Sequence, residues 1–413
     1  MDEFYLALAL IAGTVLCTAI FSQALEKTLL QEPMVAMGVG ILVGPQVLGW
    51  INLGLLQEPL RFLEEASRIT LAIAVMGVAL RLSRKEIARY WAPATVFVTF
   101  GLTGMWLAAA LLTLWMLDVP FWVAMLVGAT VAATDPVVAT AIVTGPIAQK
   151  LLPERIRATL SLETGANDGL AYLIVILPIL LLAYDPGRAL TVWLLDTVLI
   201  GVLLAGALGA AIGYVAAKLL HWAHERNLIE KYSYLTFTLS VTLFTLGIGH
   251  HTGAESLIAI FVAGLVFDMY SETSERHEEE NVQEAIGKLC TLPMFILFGA
   301  ALPWDNWLVL GWPLAALCVA VLLLRRLPVA LMLVPLLRTR LTMLDVVFLG
   351  WFGPIGVAAI FYATYATRHT GLEQIWHVAS ALVLASVVVH GMTAAPFSRL
   401  YAFVSQSDDT KNT

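Results

Sequence analysis

The chain has 413 residues, 60% of them hydrophobic and only 13% charged, with a formal net charge of -7 and a mean hydropathy of +0.85. A soluble domain of this size cannot hide so much apolar surface, so the composition implies a polytopic membrane protein. The acidic balance and the lack of a basic cluster beside a soluble fold argue against nucleic acid as a partner, and Cys17, Cys290 and Cys318 form neither a disulfide framework nor a zinc motif.

At about 20 apolar residues per span, the pattern predicts an all-α fold of about thirteen transmembrane helices. In chain order they cover 4–24, 33–51, 62–81, 91–117, 120–145, 157–183, 190–219, 231–249, 254–269, 288–303, 306–337, 344–366 and 374–403. Met1-Asp2-Glu3 is acidic where a secretory leader would be basic, so the first span reads as retained. The third carries Glu64, Glu65 and Arg68 and is apolar only from Ile69 to Leu80. Residues 1–404 read as a single transmembrane domain and 405–413 as a short cytoplasmic tail. The polar stretch from Tyr270 to Glu284 reads as a solvated cytoplasmic loop rather than a regulatory ion sensor.

Most of the 23 Lys and Arg residues then fall on one side, in the connections holding Lys27, Arg81 to Arg89, Lys150 to Arg157, Lys218 to Lys231, Arg276 to Lys288, and Arg338 and Arg340. The positive-inside rule places that side in the cytoplasm, the amino terminus outside and the carboxyl terminus inside. Tryptophans near span ends, such as Trp91, Trp304, Trp307 and Trp376, fit interfacial anchoring. The histidines, including His250, His251 and His390, read as structural or surface residues, with pH sensing as the alternative.

Two acidic breaks interrupt the apolar pattern. Thr134-Asp135-Pro136 lies about ten residues from the inner end of the fifth span and Asn167-Asp168 about eleven from that of the sixth. The two spans are antiparallel, so at about 1.5 Å per residue both acids reach similar depth. A carboxylate in hydrocarbon is a functional-site hypothesis by default, and Pro136 frees carbonyls that hydrocarbon tolerates only beside a cavity or a partner. Thr164 lies one helical turn from Asp168, and Glu163 one turn from Asn167. These hard oxygens suit a small alkali cation, and no His or Cys lies nearby for a transition metal. Arg325 and Arg326 in the eleventh span can pair with Glu163. Gly353-Pro354-Ile355-Gly356 breaks the twelfth span at a depth like that of Thr134 to Pro136. Two breaks in oppositely directed spans point to inverted repeats, about 4–183 and 231–403, joined by a linker helix at 190–219, with the site where the breaks cross.

Ala133-Thr134-Asp135-Pro136-Val137 together with Glu163-Thr164-Gly165-Ala166-Asn167-Asp168-Gly169 resembles the paired motifs of the type 1 monovalent cation:proton antiporters, the sodium/proton exchangers. Gly350 to Phe361, and the Glu-rich loop leading through Pro293-Met294-Phe295, look most like the branch containing the fungal plasma-membrane antiporters. The chain lacks the long cytosolic tail of the fungal members, which suggests a prokaryotic inner-membrane relative. The resemblance implies that Asp168 binds the ion and the proton, with Asn167 beside it and Thr134, Asp135 and Thr164 around the cation. It also implies a structural ion pair between Glu163 and Arg325, selected by the Arg-x-x-x-Val spacing, with Arg326 as the fallback. Many relatives carry Gly-Leu-Arg-Gly where this chain has Gly353-Pro354-Ile355-Gly356, so that arginine's role has no residue here.

The expected activity is exchange of Na+ or Li+ for H+, with pH homeostasis as its cellular use. No cofactor is expected beyond the transported ions, and lipid and a second copy in a homodimer are the expected partners. A K+/H+ antiporter is the nearest alternative. A cation channel or a sensor is further off, as is an intramembrane aspartyl protease, for which no Gly-x-Gly-Asp motif is present.

Overall fold

The computed structural model describes residues 2–25, 28–144, 146–228, 233–271 and 276–411, and among them there is no strand. Lys27, Lys231 and residues 272–275 of the Glu-rich loop lie outside the described residues. Five helices are long and apolar enough to cross a membrane by length and composition, and shorter apolar helices pack among them.

The chain runs α1 (Asp2–Ile20), α2 (Glu32–Val43), α3 (Pro59–Arg81), α4 (Arg84–Leu117), α5 (Phe121–Thr130), α6 (Pro136–Val143) and α7 (Glu154–Ala183). It continues through α8 (Pro186–Glu225), α9 (Ser233–Thr252), α10 (Ser256–Tyr270), α11 (Arg276–Ala300), α12 (Trp304–Leu324), α13 (Leu327–Met332), α14 (Met343–Trp351), α15 (Val357–Thr370) and α16 (Gln374–Lys411).

Three departures from the apolar pattern matter for the site. The predicted span 120–145 is two helices with an unwound segment between Thr130 and Pro136, and 344–366 is likewise divided between Trp351 and Val357. The predicted span 306–337 stops at Leu324, with Arg325 and Arg326 in a turn before the short α13. Proline explains two of the three restarts: Pro136 and Pro328 occupy the first turn of α6 and α13, where the missing N–H would be unsatisfied anyway, whereas α15 starts at Val357 after Gly356.

α3 overturns its own weak hydropathy. It is continuous from Pro59 because Glu64 is buried between two arginines, Arg68 (2.7 Å) on its own helix and Arg368 (2.5 Å) on α15. Arg68 also stacks its guanidinium over Phe361, 5.2 Å from the ring centroid. α8 lies flush on α10 through Gly209 and Gly213, four residues apart, where a Cβ would overlap the carbonyls of Ala259 and Ala263. Small residues at that spacing let membrane helices approach closely enough to gain dispersion contact that lipid tails cannot supply.

α2, α3, α6, α11 and α16 contribute to a cavity of about 420 Å³ whose lining includes Arg81, Pro136, Val137, Thr140, Lys288 and Thr291. Lys288 bridges to Glu32 (3.1 Å) at its margin. The cavity thus reaches the first turn of α6 and runs along the Ile73 to Arg81 half of α3, while Glu64, Arg68 and Arg368 tie the other half of α3 to the far end of α15.

Candidate functional site

The two unwound segments meet. The N–H of Asp135 donates to the carbonyl of Pro354 (2.8 Å), joining one break to the other through the main chain. Asp135, fully buried, then caps two helices at once. One carboxylate oxygen accepts the N–H groups of Val137 (2.6 Å) and Val138 (3.2 Å) at the start of α6, and the other accepts that of Val357 at the start of α15. Helix N-termini carry unpaired donors and partial positive charge, so an anion between two of them is stabilised twice. Gly356 is required beside it, because a Cβ there would overlap the Asp135 carboxylate.

The opposite poles converge on Arg325. Its guanidinium donates to the carbonyl of Val131, just past α5, and to that of Gly353, just past α14, with Ala133 O at 3.5 Å. Two helix C-termini with orphan carbonyls thus share one buried cation.

The expected pairing of Glu163 with Arg325 is corrected by this geometry. Arg326 takes Glu163, in a fork with Nη1 to Oε1 at 2.5 Å and Nη2 to Oε2 at 2.7 Å, while its Nε donates to Leu349 O (2.7 Å). Both partners are buried, and Arg326 lies 5.3 Å from the Phe97 ring centroid. The Arg-x-x-x-Val spacing fails as a guide because the helix ends at Leu324, so helical periodicity does not set where the two arginines point.

α7 brings the remaining residues to the crossing. The Asn167 amide donates to the Thr134 hydroxyl (2.5 Å), linking α7 to the first break. Thr164 donates to Ser161 O (3.3 Å) within its own helix. Asp168 is fully buried, yet neither of its carboxylate oxygens accepts a hydrogen bond from the protein, and the Asn167 side-chain oxygen is likewise unbonded. Three of the buried acids near the breaks therefore differ in kind: Asp135 is held by amides, Glu163 by a guanidinium, and Asp168 by nothing. No cluster of three His, Cys, Asp or Glu residues suited to a transition metal occurs among the described residues.

Ser386, Tyr362 and Glu255 were not singled out from the sequence. Ser386 accepts the N–H of Ile355 (2.7 Å) and pairs with His390 Nδ1 (2.9 Å), whose Nε2 meets Trp351 O at 3.1 Å. Of the structural or surface readings given to the histidines, His390 takes the structural one: it is a buried brace of the second break, with Ser386 one turn before it on α16. Tyr362 donates its hydroxyl to the main-chain carbonyl of Asp168. Glu255 caps α10 by accepting from Ile258 N–H (2.6 Å), packed against Gly169.

An all-helical membrane protein in which two interrupted helices cross beside buried carboxylates is an ion-transporter class of architecture. The chain belongs to the sodium/hydrogen exchanger family of transmembrane proteins, whose description matches residues 8–400. It is 33% identical to Na(+)/H(+) antiporter 2 of Zygosaccharomyces rouxii over 92% of this chain and 52% of that one. It is 30% identical to a Na(+)/H(+) antiporter of Schizosaccharomyces pombe over 95% and 90%, and 26% identical to a K(+)/H(+) antiporter of Shewanella over 97% and 67%. The chain spans about half the length of the first of these relatives. Its fold is similar to that of the sodium proton antiporter MjNhaP1 from Methanocaldococcus jannaschii, with a TM-score of 0.73 and 16% identity over 97% of this chain and 99% of that one.

Proposed function

We propose that this protein exchanges Na+ or Li+ for H+ across a membrane, with cation and proton competing for Asp168. One observation carries the reading. Asp168 is a fully buried carboxylate with no protein hydrogen bond to either oxygen, beside a crossing whose other charges are already matched. Removing a carboxylate from water favours its neutral, protonated form, and a bare alkali cation is the other species able to neutralise it. The unbonded Asn167 oxygen and the hydroxyls of Thr134 and Thr164 supply further hard oxygens. Asp135 contributes indirectly, holding both helix starts in place and adding negative potential at the site. Neutralised by one ion or the other, Asp168 crosses the low-dielectric barrier; the empty ionised state does not, and obligatory exchange follows.

The finer architecture belongs to the same proposal. Thirteen spans in two inverted repeats, with the amino terminus outside and the carboxyl terminus cytoplasmic, would make the cavity beside α6 the inward route, and the Glu64, Arg68 and Arg368 cluster the outer closure. Convergence of paired helix starts on Asp135 and paired helix ends on Arg325 supports the repeats. Exposed apolar side chains such as Leu16 on α1 and Leu203 on α8 offer surface to lipid and to a second copy in a homodimer. The named relatives include both Na+ and K+ exchangers. Ion choice is therefore tested by scanning Na+, Li+ and K+ in everted vesicles with a pH-sensitive dye. Sodium-driven dequenching lost in Asp168→Asn is expected; wild-type exchange in that variant overturns the assignment.

A further inference from the structure

We propose that Tyr362 is a positioning residue for ion binding at Asp168, acting through the main chain of α7; this rests on the reading of Asp168 given above. The Asp168 side chain makes no hydrogen bond that could locate it, so its place is set by its backbone. That backbone is held from two sides. On one, Gly169 lies against α10, where a Cβ would come within 2.9 Å of Ile258 N and 3.0 Å of a Glu255 carboxylate oxygen. On the other, the hydroxyl of Tyr362, itself fully buried, donates to the Asp168 carbonyl. The phenol thus ties α15 to the main chain of α7 at Asp168 itself.

Tyr362 sits on α15, whose first N–H is bound by Asp135. A single rigid helix therefore holds the Asp135 carboxylate at its start and the Asp168 main chain five residues later. It sets the position of one acid relative to the other and to the Thr134 hydroxyl bonded to Asn167. Ion sites need their ligands held to within about 0.5 Å. A phenol that fixes the rotation and axial position of α7 at Asp168 therefore acts on affinity without touching the ion.

The test uses the full chain purified into proteoliposomes, with Na+ pulses and a trapped pH dye, comparing wild type, Tyr362→Phe, Tyr365→Phe and Asp168→Asn. Tyr365 is the control: it lies on the same helix three residues on, half-buried, with its ring edge-on to that of Tyr172 at 6.1 Å between centroids. Phe at 362 keeps the ring packing, and the Asp168 carbonyl lies within the continuous helix α7, so folded yield is expected to hold. The apparent KM for Na+ is expected to rise about fivefold, the equivalent of one lost hydrogen bond, with the pH of half-maximal exchange displaced, while Tyr365→Phe stays near wild type. A wild-type KM and pH profile in Tyr362→Phe, or equal effects in both tyrosine variants, overturns the proposal. Should Tyr362→Phe accumulate poorly, the half-saturating Na+ for thermal stabilisation of its folded fraction reads the same binding, and an unchanged value overturns it. Wild-type exchange in Asp168→Asn instead overturns the assignment of Asp168.

Discussion

Asp135 and Arg325 divide one helix crossing between them: the acid holds the starts of α6 and α15, and the guanidinium holds the carbonyls that follow α5 and α14. Four helix ends, each with unpaired main-chain groups, are satisfied by two side chains of opposite charge. In hydrocarbon each such group left bare costs several kcal/mol. The charges at the crossing therefore secure the break itself, and Asp168 remains apart from that matching.

Asp135→Asn should be a folding lesion before a transport one. The amide keeps one acceptor oxygen but offers an N–H where Asp135 faces main-chain donors, at a cost of about 1–3 kcal/mol. A clear fall in the unfolding temperature of the detergent-purified protein checks this; an unchanged midpoint would show that the two helix starts do not depend on the carboxylate.

Glu163→Gln and Arg326→Gln should each sharply reduce folded yield, because removing one member of a buried pair costs about 3–5 kcal/mol. The double variant should lose less than the two singles together. Size-exclusion profiles of fluorescently tagged protein supply the measurement. Strong coupling of Glu163 to Arg325 instead would contradict the forked contact with Arg326.

Asp168→Asn is expected to fold at least as well as wild type while losing sodium-driven proton movement. No protein group loses a partner in that change, since neither carboxylate oxygen has one, and a buried ionisable group is removed. The unfolding midpoint should also lose its dependence on Na+, as a ligand stabilises only a protein it binds. Collapse of folded yield would mean that the acid is structural.

Gly356→Ala should be strongly destabilising, since the new methyl would overlap the Asp135 carboxylate. Gly247→Ala, on α9 with open space around it, should instead be neutral or gain up to about 1 kcal/mol from helix propensity. Thermal unfolding of the two variants side by side tests whether the close approach at the crossing, rather than glycine loss in general, is what matters.

Breaking the Glu64 to Arg368 contact with Arg368→Gln should leave a buried acid still held by Arg68, so folded yield should fall only modestly. Under the reading of this cluster as the closure opposite the cavity, a cysteine at 368 in the variant Arg368→Cys should be labelled faster by a charged thiol reagent as exchange proceeds. Labelling indifferent to Na+ would argue for a static tie.

Much of the molecule was legible before any coordinates. Mean hydropathy required a membrane protein, Pro136 and Gly353-Pro354 marked both breaks, and Asp168 stood out as an acid in hydrocarbon, because each is a property of local composition or of backbone chemistry at one position. Partner choice was not local. Arg325 and Arg326 are adjacent, and only the end of α12 at Leu324 decides which faces Glu163 and which faces the broken ends. The uses of Asp135, Ser386, His390 and Tyr362 depend on contacts between elements from tens to more than two hundred residues apart in sequence. Local composition fixes which polar groups an apolar chain must satisfy. The tertiary structure decided which of them neutralise one another, and so which carboxylate was left unpaired.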